Sequence, residues 1–254
     1  MNERKQIRFF ILIALGWSYA FWISAIFFSR FNPDWSGIQI LHFLGGIGPL
    51  VATIVTVSKM DNWKEYLKRV VNFSNFSPFV IIVLLSPIIL GLIVNLIVMG
   101  NIALSKDFLN NGILYVIFLF FFGPLPEELG WRGILFDLLQ KQSILQAQVI
   151  TAFIWFIWHL PLFFIVGTYQ YSVGFATTGF LLWTMQLLLQ SIIMGYLYIF
   201  SNRSIASAII FHYLVNLVGE AFEKNLTTEI ITIGFLVILI FLLGFVHNKK
   251  AFEK

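Results

Sequence analysis

Apolar residues occur in long uninterrupted stretches along almost the whole chain. A helix of about 20 apolar residues is long enough to cross a bilayer. Such stretches lie at about 7–28, 38–58, 78–104, 111–123, 144–166, 174–200, 204–220 and 229–247. The pattern predicts an all-α integral membrane protein, a bundle of about eight transmembrane helices. No internal repeat or long linker divides it, so residues 1–254 are predicted to form a single polytopic domain.

Two prolines modify the fourth stretch, which is short on its own. Pro124 and Pro126 should end it and begin the next helix, because proline is tolerated in the first turn of a helix but not in its interior. That next helix is predicted at about 126–140. Pro87 and Pro161 are predicted to kink their spans.

Basic residues are unevenly divided between the two sides of this bundle. An even number of spans puts both termini on one side, and that side holds all but three of the 16 basic residues. The other side holds only Arg30, Lys106 and Lys224. The positive-inside rule therefore predicts a multi-pass protein of the cell membrane with both termini cytoplasmic. The loop at 59–77, in which basic and aromatic residues alternate, is predicted to form an amphipathic interfacial helix.

The composition agrees with a membrane location. Hydrophobic residues make up 59% of the chain and charged residues only 11%, whereas soluble domains carry about 25% charged residues. The chain has no cysteine, which excludes disulfides, thiolate metal sites and cysteine nucleophiles. The net charge of +4 needs no nucleic-acid partner, since the basic residues occupy short loops. Abundant Lys, Asn, Ile and Phe suggest a bacterial genome rich in A and T.

Ionisable residues inside these apolar stretches are the strongest functional signal, because each costs roughly a few kcal/mol at membrane depth. Glu128 and Arg132 are four residues apart, so they share a helix face and are expected to pair. Glu127 is rotated by about 100° from Glu128 and should lack that partner. Two carboxylates in two environments are typical of acid–base sites. Alternatively, the acids simply favour the positive end of a helix dipole.

Three more polar residues lie in two later spans. His159 follows an aromatic segment and precedes Leu160-Pro161, where the helix is expected to open. His212 and Asn216 share one helix face and must point to protein or to a water-filled cavity. They could donate hydrogen bonds to an oxyanion. Alternatively, they form an interhelical packing cluster. We expect all these groups to converge on one polar cavity.

Taken together, these motifs resemble those of the CAAX protease and bacteriocin-processing family of intramembrane proteases, also called the abortive-infection family. Its Glu-Glu-x-x-x-Arg motif matches Glu127, Glu128 and Arg132. Its Phe-x-x-x-His motif matches at His159, with Trp155 in place of Phe. The loose Phe-x-x-Gly motif corresponds to Ile192 to Gly195, without the Phe, and His-x-x-x-Asn matches His212 and Asn216. The resemblance covers about residues 115–220.

This resemblance implies peptide-bond hydrolysis in a cavity open towards the cytosol. It also implies a role for each motif residue. Glu127 and His159 would activate a water, His212 and Asn216 would stabilise the oxyanion, and Glu128 with Arg132 would hold the site's shape. The substitutions at Trp155 and Ile192 should affect substrate fit rather than chemistry. No cofactor is required for this mechanism.

A zinc site remains an alternative at this stage, with Glu127, His159 and His212 as ligands and water in the fourth position. The chain lacks the His-Glu-x-x-His signature, which favours the metal-free mechanism.

Three functions follow from these patterns. The preferred one is an intramembrane endopeptidase that acts on a membrane-associated peptide or protein, with lipid and substrate as its partners. The second is a non-enzymatic bacteriocin-immunity or partner-binding protein of the same fold. The third is a transporter, disfavoured because the chain shows no paired halves with broken helices. If the genome is bacterial, a secreted peptide precursor is a better candidate substrate than a prenylated protein.

Overall fold

The computed structural model describes residues 2–32, 34–102 and 104–252, although the side chains of residues 107, 111, 113 and 250–252 are outside the described set. The described residues form helices, with one isolated β-bridge between Leu104 and Phe222. In chain order the α-helices are α1 Glu3–Phe31, α2 Gly37–Gly46, α3 Gly48–Met60, α4 Trp63–Val70, α5 Pro78–Met99, α6 Lys106–Phe122, α7 Pro124–Gly130, α8 Asp137–Gln140, α9 Ile144–His159, α10 Tyr169–Val173, α11 Thr178–Phe200, α12 Ile205–Ala221 and α13 Leu226–Phe252. A π-helix, Trp131–Phe136, joins α7 to α8, and a 3-10 helix, Leu160–Phe164, follows α9.

The predicted spans are present, with two changes of detail. Among the described residues, 7 helical segments are long and apolar enough to cross a membrane, and α12 is a shorter apolar helix of 17 residues. This confirms the multi-pass helical bundle. The second span is divided into α2 and α3 at Ile47, immediately before Gly48 and Pro49. As predicted, Pro124 begins a new helix after α6, and the helix before Pro161 ends at His159. α5 continues through Pro87, so this proline does not end its helix.

Small hydroxyl residues fix where several helices begin. The side chains of Ser77, Ser105, Ser143 and Thr177 each accept a hydrogen bond from the backbone N–H three residues further on, at 3.1–3.3 Å. Each therefore satisfies one of the four N–H groups that a helix leaves unpaired at its start. These caps are local sequence features, and they place the boundaries of α5, α6, α9 and α11.

One end of the bundle is held by an ion-pair network around Asp137. Arg69 Nη1 lies 3.1 Å from Asp137 Oδ2, Arg203 contacts both carboxylate oxygens at 2.8 Å, and the Tyr198 hydroxyl donates at 2.8 Å. Burial alone would lower the pKa of Arg203, but its hydrogen bonds and charge interaction with Asp137 raise it. We call this end the basic face; its exposed or half-buried cations include Lys64, Lys68, Arg69, Lys141 and Arg203.

The helix predicted in the 59–77 loop is α4, and it is anchored to the basic face of the bundle. Its Tyr66 is buried, and the Tyr66 hydroxyl donates to the Leu129 carbonyl at 2.6 Å. Burial raises the pKa of Tyr66, so the phenol remains a proton donor. α4 therefore packs one side against α7, the helix that carries Glu127 and Glu128.

The other end of the bundle, which we call the opposite face, is joined by contacts between loops and helix ends. The backbone N–H of Val166 donates to Ser29 Oγ at 3.3 Å. The Ser105 N–H donates to the Ala221 carbonyl at 2.9 Å, and Asn95 Nδ2 donates to the Glu223 carbonyl at 3.3 Å. Because successive spans alternate in direction, this face lies across the membrane from the basic face.

Candidate active site

The polar residues singled out in the sequence converge on one cavity of about 460 Å³. Glu127 at the start of α7, His159 at the end of α9, and His212 and Asn216 on α12 all line it. Glu128 and Arg132 lie immediately behind this wall and are fully buried. The tertiary structure therefore brings together three segments that are separated by about 30 to 60 residues along the chain, as their polar character predicted.

Glu128 and Arg132 form a fully buried ion pair across one turn. Arg132 Nη1 lies 3.0 and 2.9 Å from the two carboxylate oxygens of Glu128. Its Nη2 donates to the carbonyl and the hydroxyl of Ser191 on α11, at 3.0 and 2.7 Å. The π-helix begins at Trp131, so the backbone around Arg132 is wider than an α-helix, a feature often found at functional sites. The pair links α7, the π-helix and α11.

Glu127 is separated from this ion pair, as the helix geometry predicted. Its Oε2 accepts a hydrogen bond of 2.7 Å from the indole N–H of Trp155 on α9. The Glu127 residue is 7% exposed and lines the cavity. It therefore presents a carboxylate to the cavity without a direct ion pair, which suits a group that must accept and release a proton.

His159 has a defined tautomer in its neutral form. Its Nδ1 lies 2.8 Å from the Trp155 carbonyl oxygen, which can only accept, so Nδ1 carries the proton. The lone pair is then on Nε2, and neutral His159 is a proton acceptor. The ring is packed edge-on against Trp155, Trp158 and Trp183, with centroid distances of 5.2, 4.7 and 5.4 Å. These contacts fix its orientation.

His212 contacts the buried ion pair as well as the cavity. Its Nδ1 lies 2.9 Å from Glu128 Oε1, and its ring centroid is 5.2 Å from that of Trp155. An ionised Glu128 can only accept a hydrogen bond, so the Nδ1–H of His212 donates to it. The other ring nitrogen, Nε2, can donate to a ligand only when it also carries a proton. Glu128 thus orients His212 in addition to pairing with Arg132, a link that the sequence did not reveal. Asn216 lies one turn further along the same wall.

The glycine of the loose third motif has a packing role. A Cβ atom on Gly195 would lie 2.2 Å from the Gln148 side chain and 2.8 Å from the Phe136 ring. Glycine therefore permits α11 to approach α9 and the π-helix closely. This approach places Ser191, one turn earlier on α11, against Arg132.

Three residues at this site were not predicted as functional. Trp155 was expected to affect substrate fit only, but its indole N–H donates to Glu127. The available signal was its position four residues before His159, which puts both on one helix face. Ser191 had no distinguishing motif of its own. His42 on α2 had no motif of its own either, and it also lines the cavity.

The chain also resembles known proteins. The family described as type II CAAX prenyl endopeptidase Rce1-like matches residues 109–218, which include all four motifs. CAAX prenyl protease 2 of Methanococcus maripaludis is 29% identical over 251 residues, covering 93% of this chain and 92% of the relative. Over the segment that carries its motifs, the chain is therefore similar to CAAX-type prenyl endopeptidases. These matches support a CAAX-type protease, a hydrolase, rather than the immunity-protein and transporter alternatives.

The structure also bears on the zinc alternative for this CAAX-type protease. In the described part of the chain, no group of three His, Asp or Glu side chains is arranged to hold a metal ion. The contacts that Glu127, His159 and His212 make are instead with an indole, a backbone carbonyl and a carboxylate.

Proposed function

We propose that this protein hydrolyses a peptide bond of a membrane-associated peptide or protein through a water activated by Glu127 and His159. The observation that carries the proposal is the position of Glu127. It is a buried carboxylate on the cavity wall, outside the Glu128–Arg132 ion pair. Similarity to CAAX prenyl endopeptidases supports endopeptidase chemistry in general, and the assignment of roles to residues is our inference from the geometry.

In the first step, Glu127 removes a proton from a water molecule while the hydroxide attacks the carbonyl carbon of the substrate. Neutral His159, with its lone pair on Nε2, accepts a hydrogen bond from the same water and orients it. The carbonyl oxygen becomes an oxyanion. Glu127 then delivers its proton to the amide nitrogen as the C–N bond breaks, so the atoms and charges balance over one turnover.

The oxyanion needs hydrogen-bond donors, and we assign this role to Asn216 and His212. The Asn216 amide can donate in any state, whereas His212 must carry protons on both ring nitrogens. Glu128 Oε1, 2.9 Å from His212 Nδ1, fixes the orientation of the imidazole ring. Glu128 and Arg132 therefore act on the oxyanion site through His212, and not only as scaffolding.

The metal-free form of this mechanism remains our proposal. It rests on the arrangement of the side chains, because no group of three His, Asp or Glu side chains in the described chain is placed to hold one metal ion. It predicts that neither chelation nor added zinc changes the rate of cleavage.

The proposal is tested by cleavage of membrane peptides in proteoliposomes. His159→Gln should lower kcat by about 10²-fold, the order expected when one acid–base or water-orienting group is lost. His247→Gln is the matched control, because His247 packs against Tyr196 and Phe200, away from the cavity. It should retain full activity. The same assay run after dialysis against a chelator should give the wild-type rate.

Two results would contradict this assignment. One is a His159→Gln variant with the activity of His247→Gln. The other is stoichiometric zinc in the active protein together with loss of cleavage after chelation, which would establish the metal mechanism instead.

A further inference from the structure

The cavity extends from the motif residues towards only one end of the bundle. Its outer wall is formed by Asn95 near the end of α5, Gln170 on α10, Gly179 at the start of α11, and Glu223, Lys224 and Glu229 around the start of α13. All these positions belong to the opposite face. Glu223, Lys224 and Tyr169 are exposed, so the cavity reaches the surface there.

The other end of the cavity is closed by packed side chains. Arg132, Met194, Leu197 and Tyr198 are fully buried between the motif residues and the basic face, and the Asp137 network follows behind them. No described residue of the basic face lines the cavity. A separate surface pocket there, which includes Lys68, Arg69 and Arg203, shares none of its lining residues with the cavity.

Charge indicates which compartment each face meets. Lys64, Lys68, Arg69, Lys141 and Arg203 lie on the basic face, whereas Arg30, Lys106 and Lys224 are the basic residues at the opposite face within the described chain. The positive-inside rule assigns the basic face to the cytoplasm. This assignment conflicts with the cytosolic opening implied by the family resemblance, because the cavity opens on the other face.

We infer that the active site is entered from the extracytoplasmic side of the membrane, and that its substrate is an exported peptide or the outer segment of a membrane protein. The nature of the substrate rests on the proposed function, whereas the direction in which the cavity opens does not. A peptide tail confined to the cytosol could not reach Glu127, since the buried layer below Arg132 lies in the way.

The absence of cysteine from the chain gives a direct test, since every introduced thiol is the sole thiol. Tyr171→Cys places a thiol on the exposed rim of the opposite face, and Asn75→Cys places one at an exposed position between α4 and α5 on the basic face. Gln186→Cys places one on the cavity wall. Intact cells are treated with a membrane-impermeant thiol reagent, and the same cells are treated again after permeabilisation.

We expect Tyr171→Cys and Gln186→Cys to react in intact cells and Asn75→Cys to react only after permeabilisation. The reverse pattern would overturn the inference, and so would a Gln186→Cys thiol that reacts from neither side or only after permeabilisation. Labelling does not depend on catalysis, so a protein that labels as expected but cleaves nothing would refute the proposed function alone.

A second inference rests on a different observation, the contacts of Trp155. Its indole N–H donates to Glu127 at 2.7 Å, its ring packs against His159 and His212, and the Arg132 guanidinium lies 5.3 Å from its centroid. We propose that Trp155 is a positioning residue that holds the Glu127 carboxylate towards the water. The tryptophan found in place of the motif's phenylalanine is thus part of the chemistry of this chain.

Trp155→Phe retains an aromatic ring but removes the N–H. Losing one hydrogen bond to a charged group should reduce kcat about tenfold with little change in KM. The acidic limb of the pH–rate profile should move to higher pH, because hydrogen bonding to a carboxylate favours its ionised form. The groups facing Glu127 in this profile are His159, His212, Glu128 and Arg132.

The matched control is Trp17→Phe, which removes an indole hydrogen bond of the same length to the Leu44 carbonyl, outside the cavity. It should leave both kcat and the pH profile unchanged. If Trp155→Phe lowers thermal stability but leaves the pH profile in place, or if both variants lose kcat equally, Trp155 is structural and the inference fails.

Discussion

Glu127→Gln should reduce kcat/KM by about 10³-fold while leaving the protein folded, because the glutamine amide cannot take a proton from water. Glutamine has nearly the shape of glutamate, and its amide oxygen can still accept the Trp155 N–H that Glu127 Oε2 accepts at 2.7 Å. Packing around the site should therefore be preserved. The measurement is steady-state cleavage in proteoliposomes, combined with thermal unfolding of the purified variant in detergent.

The matched control for this variant is Glu65→Gln, an exposed carboxylate on α4 at the basic face. It makes the same chemical change at a residue that does not line the cavity, and it should keep wild-type kinetics. A Glu127→Gln enzyme that cleaves within a few-fold of the Glu65→Gln enzyme would remove Glu127 from the mechanism, whatever its stability.

Arg132→Met should destabilise the protein by about 3–5 kcal/mol, the usual cost of removing one partner from a buried ion pair. Arg132 and Glu128 are both 0% exposed, so Glu128 would be left charged without its main partner. The two hydrogen bonds to Ser191 on α11 would be lost as well. For a chain of this size we expect an unfolding midpoint roughly 10 °C lower.

Two further variants show whether the cost arises from the uncompensated charge. The double variant Glu128→Gln/Arg132→Met should be more stable than Arg132→Met, because it no longer buries an unpaired carboxylate. Lys141→Met breaks the ion pair between Lys141 and Glu3, in which the two side chains are 46% and 43% exposed. It should change stability by less than about 1 kcal/mol. An Arg132→Met midpoint equal to that of Lys141→Met would show that the buried pair contributes nothing.

Predictions from local patterns agreed well with the structure. Helix boundaries depend on capping residues and prolines, so Pro124 and the break after His159 could be located from the chain alone. The separation of Glu127 from Glu128 and Arg132 follows from the 100° rotation per residue. Irregularities of the helical backbone were missed, namely the π-helix at Trp131–Phe136 and the break at Ile47.

The sequence by itself determined a multi-span helical bundle and the polar residues of its site, because apolar length and the cost of buried charge are local properties of the chain. It could not determine which partner each polar group meets. That Trp155 holds Glu127, that Ser191 holds Arg132 and that the cavity opens away from the basic face depend on how distant helices pack. Hydrogen bonds act over about 3 Å, and only tertiary structure brings residues that are tens of positions apart to that distance.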